Sequence, residues 1–353
     1  MKILYIYKGN IHIHSKYSDG TSTIEEIAEK ANKRNLDFII INDHRHLLGK
    51  QRGLEGFYHD VLVLIGSEIN LEKNHYLAIG IEEEIPRNEN NPQEVIDEVN
   101  RQRGIGFIAH PFEQGSPLVR NNRTYPWTDW EAIGYAGMEI INYSSKWRDG
   151  IKTKLQGLIA NFINDQAYFE FPDFKSLQKW MELTQERQVV GIIGSDAHAP
   201  ILSKFYFSIT VLSYDYLFRT GNNYVYLQDP LSEEFVSAKQ QILTALAQGN
   251  LYISHDRISP GEGLMTYLKS GDKKYLPGSK LEPGTYSMVC QFKEFIPSKT
   301  KLRLKMYKDG EQIKEYPFPF RERIKFSKGT YHLILSHPKD NYWIIINPFY
   351  VWE

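Results

Sequence analysis

The sequence predicts an α/β chain in which a parallel sheet or barrel is followed by a small all-β sandwich. Three observations predict it. Over the first 215 residues, short apolar runs alternate with amphipathic helical stretches. From about Ser259 onward no helical period appears. Histidines also gather at or just after the ends of the predicted strands, with eight of the eleven lying in the first 200 residues. At 353 residues the chain has room for two domains, or for a barrel with an appendage. We place the division at 1–258 and 259–353.

In chain order, Ile11–His14 reads as a short alternating strand. Thr21 or Ser22 then caps a helix with Glu25 and Glu26 in its first turn and Ile24, Ile27, Ala28 and Ala31 at helical spacing. Phe38–Ile41, Val61–Ile65 and Tyr76–Ile81 are buried-type strands. Asn91–Arg103 reads as a helix with Val95, Ile96 and Val99 on one face, and Gly104 ends it. Strands Ile105–Ala109, Met138–Ile141 and Val189–Ile193 follow, separated by helices around Leu155–Phe162 and Phe174–Gln185. Ser213–Ser232 reads as aromatic and polar loop, and Glu233–Gln248 as an amphipathic helix stopped by Gly249-Asn250. Beyond it, Tyr286–Phe292, Leu302–Tyr307, Tyr331–Leu335 and Tyr342–Ile346 alternate between Pro-Gly, Asp-Gly and Lys-Gly turns, as sandwich strands do.

Composition narrows the function. With 42 Lys/Arg against 43 Asp/Glu the formal charge is −1, which excludes a strongly basic nucleic-acid coat or a polyacidic tail. The total hides a split. Residues 261–353 carry 16 basic and 10 acidic side chains, leaving 26 and 33 in the first 260. The lone cysteine, Cys290, excludes an internal disulfide framework and multi-cysteine zinc sites, so nitrogen and oxygen ligands must hold any metal. No stretch approaches the ~18–20 apolar residues of a membrane span. The run Met1–Tyr7 is too short for a signal-peptide core, and the expectation is a cytoplasmic protein.

The sharpest local feature is His12-Ile13-His14. In a strand, residues i and i+2 share a face, so both imidazoles can reach one metal. Asp196-Ala197-His198 repeats that spacing after Val189–Ile193. Asn42-Asp43-His44 follows Phe38–Ile41, and Ala109-His110-Pro111 follows the Ile105 strand. Four strand ends each deliver a histidine, where barrel active sites are built. Glu68, past the run Val61–Ile65, is a carboxylate that would be costly there unless paired or ligated. His75 opens the next strand. Asp19 sits in a Ser-Asp-Gly turn.

These motifs resemble those of the PHP (polymerase and histidinol phosphatase) superfamily. Gly9-Asn10-Ile11-His12-Ile13-His14-Ser15, Ser18-Asp19-Gly20, Asn42-Asp43-His44, Gly66-Ser67-Glu68, Ala109-His110-Pro111 and Gly194-Ser195-Asp196-Ala197-His198 fall in the family's order. Tyr342–Val351 is similar to the end of the carbaryl-hydrolase-like (CehA/McbA-type) branch, whose members append an immunoglobulin-like sandwich. The resemblance implies a distorted (β/α)7 TIM-like barrel with two or three divalent metal ions at the C-terminal strand ends. It assigns His12, His14, Glu68 and Asp196 to one metal. Glu68 as a bridge, with His75 and His110, takes a second, and Asp19, His44 and His198 take a third. Asp19 stands where some members use histidine.

Histidine-rich sites with few carboxylates suit Zn, Mn or Fe better than Ca or Mg. Paired metals share a hydroxide and clamp a phosphoryl oxygen, so a bridging hydroxide is the expected nucleophile. Asp196, His198 and Arg45 are the residues expected to carry catalysis. Arg45, Arg123, Arg148 and Asn142 are the candidates for holding substrate, arginine matching phosphate bidentately. Arg120 and Lys146 lie in the same loops. His46 and His59 read as surface residues, and Ser15, Ser18 and Ser195 need no Ser-His-Asp chemistry beside a metal. Tyr125-Pro126-Trp127, Trp130 and Trp147 read first as packing, with the lining of a pocket for a planar group as the competing view. Lys299–Lys308 and Arg321–Lys325 read as a solvated basic face, with nucleic acid as its minor alternative.

The leading expectation is a multinuclear metal-dependent phosphoesterase acting on a small-molecule phosphate ester, with no membrane partner. One alternative keeps the metals and changes the bond to a carboxylic or carbamate ester. Another is a non-catalytic, metal-stabilised binding module.

Overall fold

The structure, a computed structural model, describes residues 4–118, 122–162, 169, 171–204, 207–294, 301–338 and 340–352. Met1–Ile3, Arg120 and Lys299 lie outside these. The protein is mixed α/β, with a closed seven-stranded barrel and further strands. It divides into two compact units, residues 9–177 with 192–222, and residues 1–8 with 178–191 and 223–353. Among the described residues, no helix is long and apolar enough to cross a membrane.

The barrel half of the chain runs β1 (Tyr5–Ile13), α1 (Ile24–Asn32), β2 (Phe38–His44), α2 (Leu48–Gln51), β3 (Gly56–Tyr58), β4 (Val61–Ile69) and β5 (Tyr76–Ile79). It continues with α3 (Pro92–Arg101), β6 (Ile105–Ile108), β7 (Gly137–Asn142), α4 (Tyr143–Gly150), α5 (Lys154–Phe162), α6 (Phe174–Glu186), β8 (Val190–Ala197), the hairpin β9 (Ile201–Lys204) and β10 (Phe207–Thr210), and α7 (Tyr214–Leu217). The barrel order is β1-β2-β4-β5-β6-β7-β8, and β8 closes onto β1 with Ile11 beside Gly194 and Ile13 beside Ala197. Pairs β1–β2, β2–β4 and β6–β7 are parallel, but β5 runs antiparallel to both neighbours. The connection Asn70–His75 between β4 and β5 is too short for a crossover helix, so β5 folds back as a hairpin. The uniform parallel alternation read from the sequence fails there.

Helix α1 starts one or two residues later than the sequence reading had it. Thr23 is the N-cap: its hydroxyl accepts the Glu26 N–H at 3.1 Å, and its own N–H donates to Glu26 Oε2 at 2.9 Å. Only Thr23 stands three residues before Glu26, the spacing of a capping box. The stripe Ile24, Ile27, Ala28 and Ala31 is fully buried against Ile39, Ile41, Val61, Val63 and Ile65. Each isoleucine buried this way contributes about 1.5–3 kcal/mol.

Strands β4 and β8 run past their predicted ends, Ile65 and Ile193. A Cβ on Gly66 would lie 2.2 Å from the Ala78 carbonyl oxygen, and one on Gly194 would lie 1.6 Å from Glu139 Oε1. These glycines admit close neighbours within a strand. Ser213–Ser232 is likewise not all loop, for it holds α7 and β11 (Asn222–Leu227). Asn222 reads as a loop residue, yet it is buried with its amide donating to Phe218 O at 3.0 Å.

The other unit holds α8 (Phe235–Gln248), β12 (Leu251–Ser254), β13 (Leu264–Ser270), β14 (Lys273–Tyr275), β15 (Lys280–Leu281) and β16 (Gly284–Phe292). Strands β17 (Arg303–Lys308), β18 (Glu311–Pro317), β19 (Phe320–Phe326), β20 (Gly329–His337) and β21 (Asp340–Val351) complete it. Strands β18-β17-β20-β21-β12 form one antiparallel run, and β14-β13-β16-β19 form a separate sheet. Buried residues of both, such as Leu268, Met288 and Cys290 with Leu304, Leu333 and Ile344, make one apolar core. Residues 223–258 join this unit because β12 hydrogen-bonds to β21. The unit is therefore not purely β: α8 belongs to it, capped by Glu234 at its start and by left-handed Gly249 (φ 70°) at its end.

Candidate metal centre

The barrel register brings the strand ends to one place. His44 pairs with Glu68 across β2 and β4, which sets His44 Nδ1 3.0 Å from Glu68 Oε2. The β4–β5 hairpin returns His75 to the same carboxylate, Nδ1 lying 2.6 Å from Oε1. His110, just past β6, places Nε2 3.1 Å from Oε1. His12 and His14 each hold Nε2 3.4 Å from Glu68 Oε2 and 3.4 Å from Asp196 Oδ1. Glu68 is thus a fully buried carboxylate ringed by five imidazoles. Asp19 gathers a second group, with His198 Nε2 at 3.0 Å, His44 Nε2 at 3.6 Å and His14 Nδ1 at 3.8 Å.

All nine sequence-derived ligand candidates fall in this cluster. Their donor atoms form four overlapping groups, each with atoms within 4.8 Å of one another: His12/His14/Glu68, Glu68/His75/His110, His12/His110/Asp196 and His14/Asp19/His44/His198. The donor set also fits divalent cations on a harder test. His12 Nε2, both nitrogens of His14, His75 Nε2 and His110 Nδ1 are buried without a hydrogen-bond partner among the described residues. Buried polar atoms are rarely left so, and imidazole nitrogens facing carboxylates are what Zn, Mn or Fe would bind.

The electrostatics are those of a crowded buried site. Burial works against charge on every group, and the carboxylates then decide which imidazoles hold protons. Glu139, Asp196 and Glu68 lift His12 well above the ordinary imidazole value despite its burial. Against the same burial, Glu68 with Asp19 raises His44 to about 10, and Glu68 with Glu113 raises His110 to about 9. Burial and the charges of His198 and His44 push His14 down to about 3. Burial would raise Glu68 and Asp196, yet the surrounding histidines hold both well below the carboxylate range.

One residue of the site escaped sequence reasoning. Glu139, in the middle of β7 and fully buried, accepts from His12 Nδ1 at 2.7 Å, from the His110 N–H at 2.7 Å and from Asn142 Nδ2 at 2.9 Å. A carboxylate only accepts, so Nδ1 of His12 carries the proton and Nε2 faces Glu68 and Asp196. The available signal was a lone acid inside the apolar run Met138–Ile141. Asp43 is similarly a scaffold: it accepts from the Ser15 N–H (2.8 Å), Ser15 Oγ (2.6 Å) and Ser18 Oγ (2.5 Å), which fixes the loop carrying Asp19.

A cavity of about 330 Å³ opens beside the cluster, lined by Asp19, His44, Glu68, His75, His110, Asp196 and His198 together with Glu113, Tyr125, Ser144, Ser145, Trp147, Arg148, Pro200, Val211 and Leu212. The substrate-binding candidates divide around it. Arg148 lines it, ion-paired to Glu113. Arg45 is exposed and outside the lining, its N–H donating to the Glu68 carbonyl at 2.9 Å. Arg123 pairs with Glu72 and lies over the Tyr125 ring, outside the lining. Asn142 is occupied as the N-cap of α4 and by Glu139. Lys146 is buried near Asp173, at 3.6 Å.

A family model described as the PHP domain matches residues 10–190, slightly more than half of the chain. The chain belongs to the PHP domain family. Among solved structures, this PHP protein is similar to a two-domain Bacteroides vulgatus protein described as containing a PHP-like metal-dependent phosphoesterase. That match has 16% identity and a TM-score of 0.48, and covers 97% of this chain and 95% of the other. A Bifidobacterium adolescentis protein described as a metal-dependent phosphoesterase matches at 17% identity, TM-score 0.34, over 54% of this chain and 87% of its own. An amidohydrolase from Chromobacterium violaceum with bound sulfate matches at 14% identity, TM-score 0.35, over 54% and 88%. No curated protein matches the chain.

Proposed function

We infer that this PHP protein is a metal-dependent hydrolase of phosphate esters, its centre formed by His12, His14, Asp19, His44, Glu68, His75, His110, Asp196 and His198. The observation that carries the reading is one buried carboxylate, Glu68, ringed by five imidazoles: His12 Nε2, His14 Nε2 and His44 Nδ1 face it without a hydrogen-bond partner among the described residues, and His75 Nδ1 and His110 Nε2 lie 2.6 and 3.1 Å from it. Two or three Zn, Mn or Fe ions there would supply Lewis acidity and bring the pKa of water towards ~7. Glu68, with one oxygen towards His75 and His110 and the other towards His12, His14 and His44, is the side chain suited to bridge. Glu139 holds His12 in the ligating tautomer. Asp19, Asp196, His198 and Arg148 line the cavity together, and the Arg148 guanidinium would meet a substrate oxygen there. In this proposal the barrel portion of 1–258 carries the chemistry, on a distorted (β/α)7 TIM-like frame. The two facing sheets of 259–353 are an immunoglobulin-like sandwich of the CehA/McbA type.

A second reading, hydrolysis of a carboxylic or carbamate ester, is favoured by one observation. Among the described residues Arg148 is the one arginine lining the cavity, and it is already paired with Glu113. Metal analysis and a substrate panel decide. The purified protein should hold two to three Zn, Mn or Fe per chain and turn over phosphomonoesters, with Asp196→Ala inactive. One metal or none would sink the multinuclear centre. Turnover confined to carboxylic or carbamate esters would select the second reading.

A further inference from the structure

The two basic runs read from the sequence differ in the fold. On β17, Arg303 lies 3.7 Å from Glu315 of β18, and Lys305 stands directly opposite the same glutamate. The sheet β14-β13-β16-β19 has no such balance. Its inner face, with Leu268, Met288 and Phe320, packs into the apolar core. Alternation puts Lys269 of β13, Lys274 of β14 and Arg321, Arg323 and Lys325 of β19 on the outer face. No acidic strand residue joins them. Glu322 alternates to the inner side opposite Met288, and Asp272 belongs to the turn between β13 and β14. Among the described residues, Lys269, Arg321, Arg323 and Lys325 form no ion pair.

The arrangement works against the sheet that carries it. Lys269 and Lys274 stand directly opposite each other, and like charges in that relation destabilise a strand pair. Their row continues through Ser287 of β16 to Arg323. Arg321, Arg323 and Lys325 then follow at every second residue along the edge strand, about 7 Å apart. Five cations gathered this way repel one another, and an anion laid on the face would relieve that repulsion.

Three features select the partner. The cations run both across the strands and along β19, so a flexible polyanion can follow them, whereas a rigid duplex holds its phosphates on one fixed curve and meets fewer. None of the exposed large apolar side chains among the described residues lies on this face, so it has nothing to insert into a lipid surface. Tyr267 is the one aromatic ring among the described residues of the face, and the Lys274 ammonium already lies over it at 4.9 Å, which leaves bases little to stack on. Thr285, Ser287 and Gln291 of β16, set among the cations, offer hydrogen bonds to phosphate and sugar oxygens. We propose that the outer face of the β14-β13-β16-β19 sheet binds single-stranded nucleic acid by its phosphate backbone, without reading its bases.

The test is fluorescence anisotropy of the full chain with a labelled twelve-nucleotide oligo-dT. Neutralising five phosphates of a single strand gives a salt slope of about −3.5, so affinity should fall about 100-fold between 50 and 200 mM salt. Arg321→Gln combined with Arg323→Gln should weaken binding about tenfold at the lower salt and reduce the fall across the range to about 20-fold. Arg303→Gln combined with Lys305→Gln removes the same charge from the other sheet and should change neither. No binding at the lower salt, an equal loss in the two double variants, or a twelve-base-pair duplex bound as tightly as oligo-dT overturns the proposal. Heparin or phosphatidylserine vesicles bound while oligo-dT is not would overturn it as well, in favour of an acidic polysaccharide or a membrane.

Discussion

Replacing Glu139 should weaken metal binding although Glu139 lies behind the ligand cluster. Its carboxylate takes three hydrogen bonds, from His12 Nδ1, the His110 N–H and Asn142 Nδ2, all fully buried and all at 2.7–2.9 Å. Glu139→Gln keeps the volume but replaces one acceptor oxygen with a donor that faces other donors. Partners that orient a ligating histidine are worth about 10–100-fold in metal affinity, or roughly 1.4–2.7 kcal/mol. Glu139→Ala goes further, stranding all three donors, and should cost about 3–5 kcal/mol of stability. Gly194→Ala supplies an independent handle, because its Cβ would fall 1.6 Å from Glu139 Oε1 and drive the carboxylate away. It should reproduce the affinity loss of Glu139→Gln without removing a polar atom, and most of its effect should vanish in a Glu139→Ala background. Competition against a chromophoric chelator gives the affinities, and urea unfolding gives the stabilities. Affinity within threefold of native for Glu139→Gln, or a harmless Gly194→Ala, would refute the positioning role.

Three further outcomes follow from other parts of the molecule. His332, buried with Nε2 3.0 Å from Thr184 Oγ1, is pushed down to about 3 by burial. Its folded value lies below its unfolded one, so its contribution is complete above pH ~6.5 and is lost as pH falls towards 3, at up to about 1.4 kcal/mol per pH unit. Urea midpoints should fall more steeply between pH 6.5 and 4.5 for the native chain than for His332→Gln, and parallel curves would count against it. Asp43→Ala removes the three hydrogen bonds that fix the Ser15–Ser18 loop. It should lower metal stoichiometry at the Asp19 group first, as read by metal analysis, and an unchanged stoichiometry would leave Asp43 without that role. His12 sits at φ 65°, so His12→Gly should be more stable than His12→Ala by about 1 kcal/mol in urea unfolding. The reverse order would mean that the bulge relaxes.

Much of the barrel was legible because its strands are long apolar runs, and period and length identify such runs. Val61–Ile65 and Phe38–Ile41 are buried at every position. What escaped was decided by contacts rather than pattern. Gly66 and Gly194 resemble turn residues in a sequence. In the fold they stand where a Cβ would strike the Ala78 carbonyl or Glu139. The antiparallel β5 follows from the length of one loop, a detail that the alternation of strands and helices masks. The C-terminal strands were visible as alternation, but the pairing of β12 with β21 depends on partners about ninety residues apart. In the site, the histidines announced themselves through repeated strand-end spacing. Glu139 did not, since one acid in an apolar run has no sequence partner to mark it. Nor could spacing show that Arg45 is exposed, that Arg123 pairs with Glu72, or that Asn142 caps α4.

His12 and His14 come together by more than strand alternation. Strand alternation would set His12 and His14 on one face, but β1 is not regular there. Between Ile11 and Ile13 it carries an extra residue relative to β2, and that residue is His12, at φ 65°. Over the same interval β8 carries an extra residue relative to β1, and Asp196 within it sits at φ 52°. His14 lies beyond the end of the strand. A bulge re-aims a side chain that regular pleating would point elsewhere. Left-handed backbone at non-glycine residues costs of order 1–3 kcal/mol each, so it persists only where the surroundings over-determine it. Here Glu139 holds His12 from behind, and the closed β1–β8 pairing holds both bulged segments from the side. The same geometry that strains the backbone turns His12 Nε2 and Asp196 Oδ1 to within 3.4 Å of each other. The ligand cluster is therefore a property of two matched irregularities in neighbouring strands.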